Sequence, residues 1–140
     1  MQVQDVFPTI MLIDDNRIDN ILNKKVLEKE QIASQILVFN HASQAMLHLK
    51  NIEPGSTDEK RIPAIIFIDV VMPEMNGFEF IREFNTLPAE LKNQIKIVFI
   101  SSSHLTNEQK TELSQYDISI SVVAKPLNKS VLSQFLKKKQ

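Results

Sequence analysis

Five short apolar runs constrain the fold of this chain more than any other feature. They are TIMLI (9–13), QILVF (35–39), AIIFI (64–68), IKIVFI (95–100) and ISVVA (120–124). Each is rich in Ile and Val and mostly lacks polar alternation, so each reads as a strand buried on both faces. Between the runs lie segments with helical spacing. Ile18, Ile21, Leu22 and Val26 form one stripe, extended by Leu27; Ala45, Met46 and Leu49 form a second, and Phe78, Ile81 and Phe84 a third. Thr106 to Tyr116 is a weaker fourth, with Leu113 and Tyr116 as its large apolar residues, and the last helix carries Val131, Leu132, Phe135 and Leu136. Polar, Pro-containing loops are expected at 51–61 and 86–94. Strand and helix thus alternate five times, and parallel neighbours need crossover connections. The expected fold is α/β, a (βα)5 doubly wound domain with a five-stranded parallel sheet, occupying residues 1–140 with an ordered core over about 8–137.

Composition narrows the class further. Sixteen basic and seventeen acidic residues nearly cancel, which leaves no electrostatic footprint for nucleic acid or an anionic membrane. With no cysteine, disulfides and thiolate metal sites are excluded. No apolar run approaches the roughly 18 residues needed to span a bilayer, and the N-terminus lacks a signal-peptide pattern. The expectation is a cytoplasmic protein.

In an open α/β sheet a ligand sits outside the carboxyl ends of the strands, at a switch point. Polar groups stand at that end of four runs: Asp14 and Asp15 after the first, Asp69 after the third, Ser101 after the fourth and Lys125 after the fifth. Each has a plain reading alone. Asp14-Asp15-Asn16 is also a helix-capping stretch, Asp69 a turn residue, Ser101-Ser102-Ser103 a polar loop and Lys125 a loop lysine. Together they predict one crevice in which three carboxylates need a counter-charge. Lys125 supplies one, and a divalent cation of hard-oxygen preference, Mg2+, supplies the rest.

These motifs, above all the D-x-x-M-P-x-M-x-G pattern in DVVMPEMNG (69–77), resemble the receiver domain of two-component response regulators, with its flavodoxin-like fold, over essentially the whole chain. The resemblance implies that Asp69 accepts a phosphoryl group from a phosphohistidine donor, on a histidine kinase or histidine phosphotransfer protein. It implies Mg2+ on the carboxylates of Asp15 and Asp69 and the backbone carbonyl of Val71, with Asp14 holding a metal-bound water. Lys125 then pairs with one phosphoryl oxygen, the Ser101 hydroxyl donates to another, and the Ser102 N–H contributes. The Lys125–Pro126 peptide resembles the family's cis bond, and Pro73 and Gly77 resemble its shapers of the loop after Asp69, with Gly77 freeing the backbone near the next helix.

The sequence departs from the family in three respects. The position three before the lysine, commonly Tyr or Phe and part of the switch, is Val122; Tyr116 lies too early to replace it and is read as a helix-end packing residue. Val71 and Ser103, which flank the approach of water, offer no carboxylate or carboxamide, so slow self-dephosphorylation is expected. The chain ends after its last helix with no output domain, and KKK (137–139) reads as a solvated helix end. His48 reads as a surface residue, and His41 and His104 as loop residues; none has zinc-ligand spacing.

The function expected is a stand-alone phospho-accepting module in a phosphorelay, not an enzyme, a monomer or weak dimer with an output target the sequence does not name. Two alternatives remain: an interaction module of the same fold that no longer turns over phosphate, and a Mg2+-dependent aspartyl-phosphate phosphohydrolase. The latter wants a second Asp where Asn16 stands.

Overall fold

The computed structural model describes residues 7–72 and 74–137, the last four without their side chains. Pro73 and the lysines at 138–139 lie outside the described residues, as do the side chains of Phe135 and Leu136. Five strands, β1 (Phe7–Ile13), β2 (Ala33–Phe39), β3 (Ile65–Asp69), β4 (Lys96–Ser101) and β5 (Ser119–Ala124), form one parallel sheet in the order β2-β1-β3-β4-β5. Six helices connect and follow them: α1 (Arg17–Lys29), α2 (Ala42–Lys50), α3 (Gly77–Phe84), α4 (Ala89–Lys92), α5 (Asn107–Ser114) and α6 (Lys129–Lys137). The strand order reverses between β2 and β3 around β1, so the first and third strand ends flank the switch point.

Successive side chains of the central strands serve two cores, one on each face of the sheet. Met11, Ile13, Ile66, Ile68, Ile97 and Phe99 pack with Met46 and Leu49 of α2 and with Phe80, Ile81 and Phe84 of α3. Ile10, Leu12, Phe67, Val98 and Ile100 pack with Leu27 of α1 and Leu132 of α6. Helices on both faces explain why β1, β3 and β4 lack polar alternation. The edge strands β2 and β5 correct the expectation of burial on both faces. They are only half-buried, because each has a neighbour on one side alone.

The sequence also misplaces the buried face of α1. Ile18, Ile21 and Leu22 are exposed by 67%, 54% and 54%, while Asn20 and Leu27 face inward. Hydrogen bonding sets this rotation. The Asn16 side chain caps the helix by accepting from the Ile18 and Asp19 N–H groups, and the Asn20 amide donates to the Asp14 and Phe39 carbonyls and to Asn40 Oδ1. Buried hydrogen bonds from the Asn20 amide to the ends of β1 and β2 outrank a few apolar contacts.

Three smaller corrections follow from packing. The 86–94 segment contains the one-turn helix α4, whose Leu91 is buried against the core. His48 is half-buried, with Nε2 2.8 Å from the Arg61 carbonyl oxygen and its ring 5.7 Å from that of Phe39, rather than a free surface residue. Gly77 is required by close approach, not by backbone freedom, since its φ is not positive. A Cβ there would lie 3.2 Å from both Phe99 Cε1 and Val70 Cα. Gly77→Val is therefore expected to cost about 1–3 kcal/mol, read as a lower urea midpoint with an unchanged slope.

Candidate functional site

Each strand end delivers its polar group through backbone bonding. The Asp14 N–H donates to the Phe39 carbonyl, that of Val70 to Ile100, and that of Lys125 to Ser101 at 2.9 Å, which ties the ends of β4 and β5 together. Oxygens of Asp14, Asp15 and Asp69 consequently lie within 4.8 Å of one another. Asp14 and Asp69 are buried, at 3% and 8% exposure, while Asp15 faces solvent. Capping and clustering coexist here: Asn16 caps α1, and Asp14 Oδ1 accepts the Asn16 N–H at 2.9 Å.

Lys125 reaches the cluster from the opposite side. Its Nζ donates to Asp69 Oδ2 at 3.1 Å and lies 3.6 Å from Asp19 Oδ2. The Lys125–Pro126 peptide is cis. Asp19 is a member of this group that sequence reasoning missed. Its signal was its place in the first turn of α1, three residues after the Asn16 cap that follows the acidic pair.

The electrostatics show a site short of positive charge. Burial pushes Asp14 up to about 6; the Asn16 N–H opposes this, the charge of Asp69 adds to it, Lys125 opposes and Asp19 adds. Burial works against the charge of Lys125, but the hydrogen bond and charge of Asp69, with Asp14 and Asp19, outweigh it and raise its pKa. Ionising Asp14 in this crevice therefore costs folding energy. Because its folded value exceeds its unfolded one, the fold binds more protons than the unfolded chain between pH 4 and 6. Stability from this group is full at the acid end of that window and is lost as pH rises through about 6. Metal-free protein is expected to lose roughly 1–3 kcal/mol from this source between pH 4 and 7. Asp14→Asn should flatten that part of the urea-measured stability profile.

Three acidic oxygen donors, two of them buried and with one lysine for several carboxylates, fit a small hard cation such as Mg2+. Thiolate and imidazole donors are absent from the cluster, which suits zinc poorly. At the backbone of Val71, the N–H donates to Asp69 Oδ1 at 3.4 Å, and the Val71 side chain is 74% exposed.

Ser101 is buried at the end of β4. Its hydroxyl is turned toward its own loop, donating to the Ser103 carbonyl and accepting the Ser103 N–H at 3.2 Å. His104 is exposed beyond that loop and lines a separate cleft with Val122. His41 is exposed ahead of α2, its Nδ1 3.7 Å from Glu74 Oε2. Tyr116 packs half-buried against the core as expected, and its hydroxyl also donates to Glu112 at 2.8 Å. Glu112 in turn receives Arg82 of α3 through two hydrogen bonds of 2.8 and 2.9 Å, which fastens α5 to α3. Among the described residues no helix is long and apolar enough to cross a membrane.

Comparison with known proteins agrees with this geometry. The family model of the response regulator receiver domain matches residues 10–137. A two-component response regulator from Cytophaga hutchinsonii is 28% identical, with a TM-score of 0.77 over 95% of this chain and 96% of that one. A response regulator receiver protein from Dyadobacter fermentans DSM 18053 is 26% identical, with a TM-score of 0.75 over 93% and 95%. The fold is shared with the receiver domain of the histidine kinase CKI1 from Arabidopsis thaliana, solved in complex with Mg2+ and BeF3−, at 23% identity and a TM-score of 0.72 over 96% and 92%. Among curated proteins, hybrid signal transduction histidine kinase C of Dictyostelium discoideum is 28% identical over 133 residues, 92% of this chain. This chain spans only about 10% of the length of that relative. The carboxylate cluster at the switch point, the 2-1-3-4-5 sheet and the match over residues 10–137 together make this chain a member of the response regulator receiver domain family of two-component systems.

Proposed function

We propose that this domain accepts a phosphoryl group on Asp69 from a phosphohistidine donor, acting as a cytoplasmic module of a phosphorelay. The observation that carries the reading is the Asp69 carboxylate, clustered with Asp14 and Asp15 and 3.1 Å from the Lys125 amine. Asp15, Asp69 and the Val71 carbonyl would hold Mg2+, with Asp14 beside them. When bound, the ion supplies positive charge that screens the attacking carboxylate from an anionic phosphoryl group and stabilises the transferring oxygens.

The chain's own residues do the rest. An oxygen of Asp69 forms the new bond to phosphorus as the phosphorus–nitrogen bond breaks, and that electron pair stays on the donor imidazole. Lys125 holds Asp69 Oδ2 beforehand, which aims the nucleophile, and then moves to a phosphoryl oxygen. Ser101 donates to another phosphoryl oxygen only after its hydroxyl releases the Ser103 carbonyl. Phosphorylation is thus linked to a rearrangement of the 101–103 loop, the kind of local charge change that biases a two-state element.

A histidine kinase or phosphotransfer protein must bring its imidazole to this crevice. The exposed Ile18, Ile21 and Leu22 stripe begins within one turn of the carboxylates and offers that partner an apolar seat. Ile21→Asp is expected to slow transfer from a protein donor about five- to tenfold. Labelling by acetyl phosphate should be unchanged, which separates docking from chemistry.

The reading is tested by mixing the protein with Mg2+ and acetyl phosphate and recording intact mass. The expected result is an acid-stable, base-labile gain of one phosphoryl group. No gain in the wild type favours a receiver-fold interaction module, and turnover of phosphate monoesters favours a phosphohydrolase.

A further inference from the structure

Lys125 has two anionic partners, and the chemistry proposed above uses one of them. Its Nζ donates to Asp69 Oδ2 at 3.1 Å and lies 3.6 Å from Asp19 Oδ2. Asp69 is buried at the end of β3, whereas Asp19 stands in the first turn of α1 with its side chain 37% exposed. One ammonium group is thus shared by a buried carboxylate and a more exposed one. Complementing the helix dipole does not require this placement, because a first-turn carboxylate does that while pointing into water. Among the described residues Lys125 is the one cation within ion-pair distance of Asp19.

Charge balance gives this pairing a consequence. With Mg2+ bound, the ion and Lys125 together match the charges of Asp14, Asp15 and Asp69. Asp19 is a fourth carboxylate, so the crevice carries excess negative charge before any phosphoryl group arrives. Its charge is felt across the site, being among the causes that raise both Lys125 and Asp14. A phosphoryl group on Asp69 adds further negative charge and needs the same ammonium group. Whatever holds Lys125 to Asp19 is subtracted from its attraction to a phosphoryl oxygen.

We propose that Asp19 is a positioning residue that competes with the phosphoryl group for Lys125 and so raises the free energy of the phosphorylated state. The inference rests on acceptance of that group by Asp69. The acyl phosphate is then held less tightly and passes its group to an acceptor imidazole more readily. In that step the phosphorus–oxygen bond breaks, its electron pair returns to Asp69, and Lys125 returns to its two carboxylates. Loss to water is a separate matter, set by what orients the water.

The test is an NMR titration of the full chain, saturated with Mg2+, with beryllofluoride, a stable mimic of a phosphoryl group on a carboxylate. Asp19→Asn is expected to tighten binding about three- to tenfold, and Asp19→Glu to restore it to within about twofold of wild type. In a Lys125→Met background the gain from Asp19→Asn should shrink to less than about twofold. With limiting acetyl phosphate, Asp19→Asn should reach a higher labelled fraction than wild type. Asp19→Ser is a second neutral variant that keeps the result readable if the first fails to fold. Weaker binding in the neutral variants means that Asp19 aims Lys125 rather than competing for it, and overturns the proposal. Unchanged affinity overturns it too, as does an equal gain in the Lys125→Met background, which shows a repulsion that does not pass through Lys125. Wild type that neither binds beryllofluoride nor takes label is a different failure: it removes the Asp69 reading, and this inference with it.

Discussion

Asp69→Asn should abolish labelling by acetyl phosphate, a loss of at least about a thousandfold, without loss of the fold. The carboxamide keeps the shape of the side chain and can still accept from Lys125, but it lacks the anionic oxygen that attacks phosphorus. Removing that charge also relieves Asp14, whose elevation to about 6 owes part of its size to Asp69. The substitution also weakens the ion pair of Lys125, which opposes that relief, so the metal-free variant is expected to stay within about 1 kcal/mol of wild type at pH 7. It should also gain less thermal stability from added Mg2+. Labelling lost while metal-free stability is retained is a pairing that general misfolding does not produce. Retained labelling would move the acceptor elsewhere and remove the basis of the proposed function.

Val71→Asn should shorten the lifetime of the phosphorylated protein roughly tenfold to a hundredfold. Hydrolysis of an acyl phosphate needs a water held in line with the phosphorus–oxygen bond. The two positions that the resemblance to the family would put beside that approach, Val71 and Ser103, carry no carboxylate or carboxamide that would orient it. The Val71 side chain is 74% exposed, so a polar replacement disturbs no packing and its effect reports on the water alone. The measurement is phosphoryl loss over time after removal of the donor, in wild type and variant. A wild-type lifetime of seconds would contradict the reading, as would a variant with unchanged decay.

Both predictions rest on positions legible in the sequence, and the reason is geometric. A parallel sheet brings its strand ends to one edge, so a polar residue after each apolar run falls into the same crevice. Asp14, Asp15 and Asp69 could be grouped on that ground, as could Lys125. Asp19 escaped notice because it sits within a helix, where a lone acid in the first turn reads as ordinary complement to the dipole. The orientation of the Ser101 hydroxyl was also out of reach. It depends on the turn made by residues 101–103, which a polar tripeptide does not specify.

The α1 helix shows where periodicity fails. Its apolar spacing is real, yet Ile18, Ile21 and Leu22 face outward while Val26 and Leu27 pack inward, because burial is decided by what the rest of the chain offers to each face. The Asn20 amide bonds two strand-end carbonyls, and those buried bonds set the rotation. The edge strands teach the same lesson: TIMLI and ISVVA look alike as strings, but one lies inside the sheet and the other at its rim.

The sequence by itself determined the parallel alternating architecture and the identity of the residues gathered at the strand ends, since both follow from local periodicity and chain order. Only the tertiary structure decided which helical face is buried, how closely Phe99 and Val70 approach Gly77, and that a cleft stands open beside Val122. Those outcomes depend on contacts between segments distant in the chain, and the energy of such a contact is a property of the pair that no single stretch of residues carries.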